Sequence, residues 1–173
     1  MKENTQALGE VIVTTQKKKQ SSLEIPVAVS AITGSVMEKL NLHQMDDVAQ
    51  FTPGVQIQLQ SPNNPGYVIR GVTSDGGEAY SQPRVSVFMD GVSTSRSRSS
   101  AVELFDLERL EVVKGPQGTL FGRGGGIGGI NIIRHKPVNE LKGELSMNYG
   151  SYNQRQVTGF INTPIIKDKL ANR

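Results

Sequence analysis

Apolar and polar residues alternate most regularly over residues 55–60, where Val55, Ile57 and Leu59 are separated by glutamines, the period of a strand with one apolar face. Residues 67–72 (YVIRGV) and 85–94 (VSVFMDGVST) are also β-prone, and Asp90-Gly91 supplies the two positive-φ positions of a tight hairpin. Residues 25–32 predict a strand with Pro26 near its start, where a missing N–H is tolerated. Thr33 or Ser35 can then cap a helix that places Met37, Leu40 and Leu42 on one side. A second short helix fits residues 44–51, with Met45, Val48, Ala49 and Phe51 at helical spacing, and Thr52-Pro53-Gly54 ends it. Residues 61–66 and 73–84 read as loops, and residues 101–107 can form one or two helical turns.

The segment 107–134 organises the middle of the chain. Leu110, Val112 and Val113 predict a strand, Gly115-Pro116 breaks it, and residues 130–133 resume a β-branched run. Between them nearly every residue from Gly122 to Gly129 is glycine. Such a stretch is either a surface loop or backbone that passes through a confined space. Gly124, Gly126 and Gly129 match a dinucleotide-binding spacing, but that motif needs a helix after the loop, and INIIR is short and β-branched.

Residues 143–149 and 154–162 alternate again, with Leu145, Met147 and Tyr149 on one face and Val157 and Ile161 on the returning strand. Residues 150–153 turn the chain, residues 164–169 turn it once more, and Leu170 begins a third strand. Alternating segments of about ten residues are shared by transmembrane β-barrels and soluble antiparallel sheets. At the other end, residues 8–15 (LGEVIVTT) form a short β-prone run followed by a polar stretch, residues 16–22, expected to be a flexible linker.

Composition narrows the picture. With 173 residues, 19 Gly, 8 Pro and only 36% hydrophobic residues, the chain favours turn-rich β-structure over a helical bundle. Without cysteine there is neither a disulfide framework nor a thiolate metal site. A net charge of +3 with scattered basic residues argues against nucleic-acid binding. No apolar run reaches the roughly 20 residues of a transmembrane helix, and Met1-Lys2-Glu3-Asn4 opens no signal peptide, so export would need a leader outside this sequence. Two histidines, His43 and His135, have no zinc spacing, and neither a hydrolase elbow nor a P-loop occurs. The pairs Asp46-Asp47 and Glu108/Glu111 are explained by a solvated helix end and a strand flank. No enzyme and no cofactor is expected.

The string EVVKGPQGTLFG over residues 111–122, followed by GGINII over 128–133 and Lys136-Pro137, resembles the C-terminal end of the plug domain of TonB-dependent outer-membrane receptors. Ile69-Arg70-Gly71 is similar to a second plug motif, and the strand, helix, helix, Pro-Gly order of residues 25–54 to the plug's front half. The resemblance implies an α+β fold, a plug with a small mixed β-sheet and short helices, followed by the first antiparallel strands of a truncated transmembrane β-barrel. It divides the chain into a TonB box at 8–15, a flexible linker at 16–24, a plug at 25–137 and the start of the barrel at 141–173, so the sequence is expected to be a fragment.

The same resemblance implies residue roles. Glu10, Val11, Ile12, Val13 and Thr14 would be bound by the periplasmic C-terminal domain of TonB through strand addition. Arg70 and Lys114, the latter standing where many members carry Arg, would form ion pairs with carboxylates of the protein's own barrel. Gly76, Gly77 and Tyr80 would lie in a ligand-contact loop. The implied function is gating of energy-coupled uptake of a scarce small molecule, such as a ferric siderophore, across the outer membrane of a Gram-negative bacterium. A free-standing soluble plug-like binding module is the alternative.

Overall fold

A computed structural model of the chain describes residues 12–13, 20–21, 26–61, 64–73, 84–94, 103–166 and 169–173. It divides into two compact units, Met1–Arg134 and His135–Arg173.

In the first unit, β1 (Ile12–Val13) pairs antiparallel with β2 (Gln20–Ser21), which lies inside the stretch expected to be a linker. β3 (Ala28–Thr33) leads through the N-cap Thr33 into α1 (Gly34–Lys39), and α2 (Met45–Gln50) follows. Met37, Met45, Val48 and Ala49 are buried as the helical spacing predicts, and Leu42 is buried beyond the end of α1, whereas Leu40 and Phe51 are exposed because each is a C-cap residue where the helix has already unwound. Asp47 is not merely solvated: its Oδ2 accepts the backbone N–H groups of His43 and Gln44 at 3.3 and 3.1 Å, satisfying donors at the start of α2.

β4 (Val55–Ser61), β5 (Asn64–Ile69) and β6 (Val72–Thr73) form a three-stranded antiparallel sheet. Two features depart from the sequence reading. Ser61 and residues 64–66, expected in a loop, are strand residues with Ser61 paired to Asn64, and the expected strand through Val72 breaks at Arg70-Gly71. Both of those residues have positive φ, 53° and 77°, like Asp90 and Gly91 at 50° and 83° in the predicted hairpin between β7 (Val85–Met89) and β8 (Val92–Thr94). The Asp-Gly turn was legible because Asp and Gly tolerate this conformation; Arg carries no such signal.

β9 (Leu107–Lys114) lies within a five-stranded mixed sheet ordered β3-β9-β10-β7-β8, where β10 (Gly128–Arg134) pairs parallel to β7. The helical turns expected over 101–107 are absent among the described residues: Leu104 donates its N–H to the His43 carbonyl at 2.8 Å, and Asp106 adopts a φ of 51°. The glycine segment instead opens on a short helix, α3 (Gly118–Phe121), and a 3-10 turn, Gly122–Gly125. Backbone confinement holds at Gly128, where an added Cβ would fall 2.4 Å from the Val113 carbonyl oxygen and 2.8 Å from Ile69 Cδ1.

One row of the sheet aligns Val112, Ile130 and Val87, and the next aligns Leu110, Ile132 and Met89. These residues pack with Met37, Met45, Val48, Tyr67 and Ile69 into one core. Each fully buried Leu, Ile or Val contributes roughly 1.5–3 kcal/mol over exposure. On the opposite face Arg109 Nε donates to Glu111 Oε1 at 2.7 Å, and Asn131 reaches Glu111 Oε2 at 3.4 Å. Glu111 is therefore no solvated strand flank; its exposure is 0%.

In the second unit, β11 (Lys142–Tyr149), β12 (Arg155–Ile166) and β13 (Leu170–Asn172) form an antiparallel meander, with a 3-10 turn at Ser151–Asn153. Pro164 does not turn the chain: β12 continues through it to Ile166, and a register irregularity between Pro164 and Ile166 accommodates the missing donor.

Gly128→Ala tests the close approach of β10 to β9. The added methyl should destabilise the chain by about 1–3 kcal/mol, the usual cost of overpacking, measured by urea denaturation; unchanged stability would show that the backbone there has room to spare.

Candidate functional site

The two residues singled out as plug charges come together although they are distant in sequence. Arg70 is exposed in the turn between β5 and β6, anchored by its N–H to the Gly54 carbonyl at 2.8 Å. Its side chain passes Gly54 and brings Nη1 beside Gly115: a Cβ added there would lie 3.7 Å from it. Lys114, the last residue of β9, is half-buried and donates from Nζ to Ser30 Oγ at 2.8 Å. Burial holds its amine below the usual lysine value of 10.5, and the positive charge of Arg70 lowers it further. Among the described residues neither cation has a carboxylate in ion-pair contact. Among the described residues the site is thus a like-charge pair.

Arg70 also occupies a conformation that disfavours it. A non-glycine residue at φ 53° is uncommon, and such strain collects at functional positions. Asn or Gly would suit the turn better, so Arg at this position points to a use for the guanidinium rather than the backbone.

The N-terminal candidates divide. Ile12 and Val13 are strand residues, with Val13 fully buried, while Glu10, Val11 and Thr14 lie outside the described residues. Gly76, Gly77 and Tyr80 lie outside them too.

The second unit carries a feature of a different kind. Cross-strand register aligns Met147 with Val157, Leu145 with Gly159, and Gly143 with Ile161, so Leu145, Met147, Tyr149, Val157 and Ile161 share one face. They are 67, 71, 77, 64 and 69% exposed. The opposite face aligns Lys142 with Asn162, Glu144 with Phe160, Ser146 with Thr158 and Asn148 with Gln156. A soluble sheet buries its apolar face; this one displays it.

Comparison with known proteins bears on both units. Residues 21–130 match the family model described as the TonB-dependent receptor plug domain. The chain is 31% identical over 135 residues to the ferripyoverdine receptor of Pseudomonas aeruginosa, covering 75% of this chain and 15% of that receptor. It is 29% identical over 148 residues to the ferrioxamine B receptor of Salmonella typhimurium, covering 83% and 20%. Among solved structures, the FpvAI–pyocin S2 complex superposes with a TM-score of 0.76 at 25% identity, over 90% of this chain and 20% of that one. The siderophore receptor PiuA from Acinetobacter baumannii does so with a TM-score of 0.70 at 26% identity, over 84% and 20%. The chain thus spans a fifth or less of the length of these relatives.

The charge on Lys114 yields a pH prediction. Because its folded-state pKa is lowered, the cost of the protonated amine is fully present at neutral pH and is relieved as pH rises through the lowered value toward 10.5. Melting temperature measured from neutral pH upward should therefore climb for the wild-type chain relative to Lys114→Met. Parallel curves for the two proteins would contradict a lowered Lys114 amine.

Proposed function

The chain belongs to the TonB-dependent receptor plug domain family, and on that premise we propose that it is the plug and gating part of a TonB-dependent transporter in the outer membrane of a Gram-negative bacterium, serving energy-coupled uptake of a ferric siderophore. The family is one of receptors and transporters rather than enzymes. In this reading residues 8–15 are the TonB box, 16–24 the linker, 25–137 the plug, and 141–173 the first barrel strands.

The observation that carries it is the one-sided sheet of the second unit. Apolar side chains more than 60% exposed along two paired strands, backed by a polar face, suit a wall with lipid outside and a wet lumen within. Tyr149 ends the apolar row where β11 reaches its turn, a position that suits an aromatic at the membrane interface. A soluble module gains nothing from such a face.

The plug, residues 25–137, would then block the lumen. Arg70 and Lys114 supply the charge that barrel carboxylates would neutralise, relieving the repulsion between them. The loop with Gly76, Gly77 and Tyr80 would touch the ligand. Ligand binding would release residues 8–15, of which Ile12 and Val13 pair with β2. TonB would add that strand to its own sheet, and the pull would remodel the plug. The siderophore class rests on the receptors this chain is similar to.

Uptake of radioactive iron as ferripyoverdine and as ferrioxamine B, measured in cells carrying the full-length receptor, tests the proposal. At least one chelate should enter only when TonB is present, and Val13→Pro, which removes a ladder N–H, should cut entry about tenfold or more while surface binding of the chelate persists. Entry indifferent to TonB would overturn the energy coupling; entry of neither chelate would overturn the siderophore assignment.

A further inference from the structure

The residue that stands out against its surroundings is Asn162. It lies on the polar face of β12 between two exposed residues, Ile161 and Thr163, yet has 0% exposure. Its carboxamide is turned onto the segment that precedes β11. Oδ1 accepts the Val138 N–H at 2.9 Å, and Nδ2 donates to the Val138 carbonyl at 2.7 Å and also to the Glu140 carbonyl. Both amide protons are used, and Val138 receives from this one side chain the paired donor and acceptor that a neighbouring strand would otherwise supply. Val138 and Glu140 are themselves exposed, so their backbone groups are bonded here without burial of their own side chains.

Only a carboxamide fits. Leucine has similar bulk and makes none of the three bonds. Aspartate could accept from Val138 but would set a carboxylate against two carbonyl oxygens. The bonded segment is also the covalent connection between β10, which ends at Arg134, and β11, which begins at Lys142. At the maximum extension per residue, the eight steps from Arg134 to Lys142 could span roughly 29 Å, whereas the four steps to Val138 could span only roughly 14 Å.

We propose that Asn162 is a positioning residue that clamps the connector leaving the plug to the first barrel strands at Val138, halving the tether so that a pull applied at the N-terminus remodels the plug instead of dragging it through the lumen. The inference rests on the transporter reading. In chain order the clamp follows the plug and the segment TonB would grasp precedes it, so a pull on one end is resisted at the other.

The test uses the full-length receptor in its outer membrane, with Asn162→Leu and, as a variant that keeps one bond and the side-chain size, Asn162→Asp. Hydrogen exchange of the Val138 amide should accelerate about tenfold or more in Asn162→Leu while amides of the β11–β12 ladder stay protected. Cells carrying either variant should become sensitive to vancomycin, a probe too bulky for an occluded lumen, and only when TonB is present. Unchanged exchange at Val138 would overturn the clamp. Faster exchange without vancomycin entry would show that the bonds bear no load, and entry without TonB would report a leaky barrel instead of a displaced plug; both count against the proposal. Failure of the wild-type receptor to bind the TonB C-terminal domain would instead defeat the transporter reading, and the exchange result would still decide whether Asn162 holds residues 138–140.

Discussion

Strand β9 is the member on which the rest of the first unit hangs. It is hydrogen-bonded along both edges, to β3 and to β10, and its two faces do opposite work. Leu110 and Val112 enter the apolar core beneath α1, α2 and the β4–β5 hairpin. Arg109 and Glu111 form a buried ion pair on the other side, with Glu111 fully removed from water. Such a pair adds little net stability over an apolar substitute, but breaking it leaves an uncompensated charge that costs about 3–5 kcal/mol. It therefore makes the arrangement of strands around β9 hard to alter by one step, since a one-residue slip would turn Glu111 into the apolar core.

That constraint extends to the candidate site. Lys114 is the last residue of β9, and its height is fixed by the register with Ala28 and Gly128. Arg70 arrives from a separate sheet, held in a strained turn by the Gly54 carbonyl. Two cations are thus brought close by elements that have their own reasons to be where they are. Their repulsion is a standing cost in the isolated unit, and the polar wall of a barrel is where a carboxylate could offset it.

Much of this was legible in the sequence, for identifiable reasons. Period-two alternation marked β4, β11 and most of β12, Asp90-Gly91 marked its hairpin, and Gly115-Pro116 marked the end of β9, because each signal is local. What escaped was tertiary. Glu111 and Asn162 look like ordinary surface polar residues, and only the folded chain shows them sealed from water with their partners. Arg70 escaped as a turn residue because its backbone is held against its own preference. α3 was missed because Gly118 gives no helical pattern to read, and Pro164 was read as a turn because the irregularity that tolerates it depends on β13.

In a transporter the sheet of residues 142–172 would face lipid with one side. Nitroxide labels placed singly along β11 and β12 of the full-length protein in outer membrane, read by collision with oxygen and with a water-soluble relaxant, test it most directly. Alternation is expected: labels at 145, 147, 149, 157 and 161 respond to oxygen, while those at 146, 148, 156 and 158 do not. Uniform response to the water-soluble relaxant on both faces would contradict it, leaving a soluble sheet and no barrel for the plug to close.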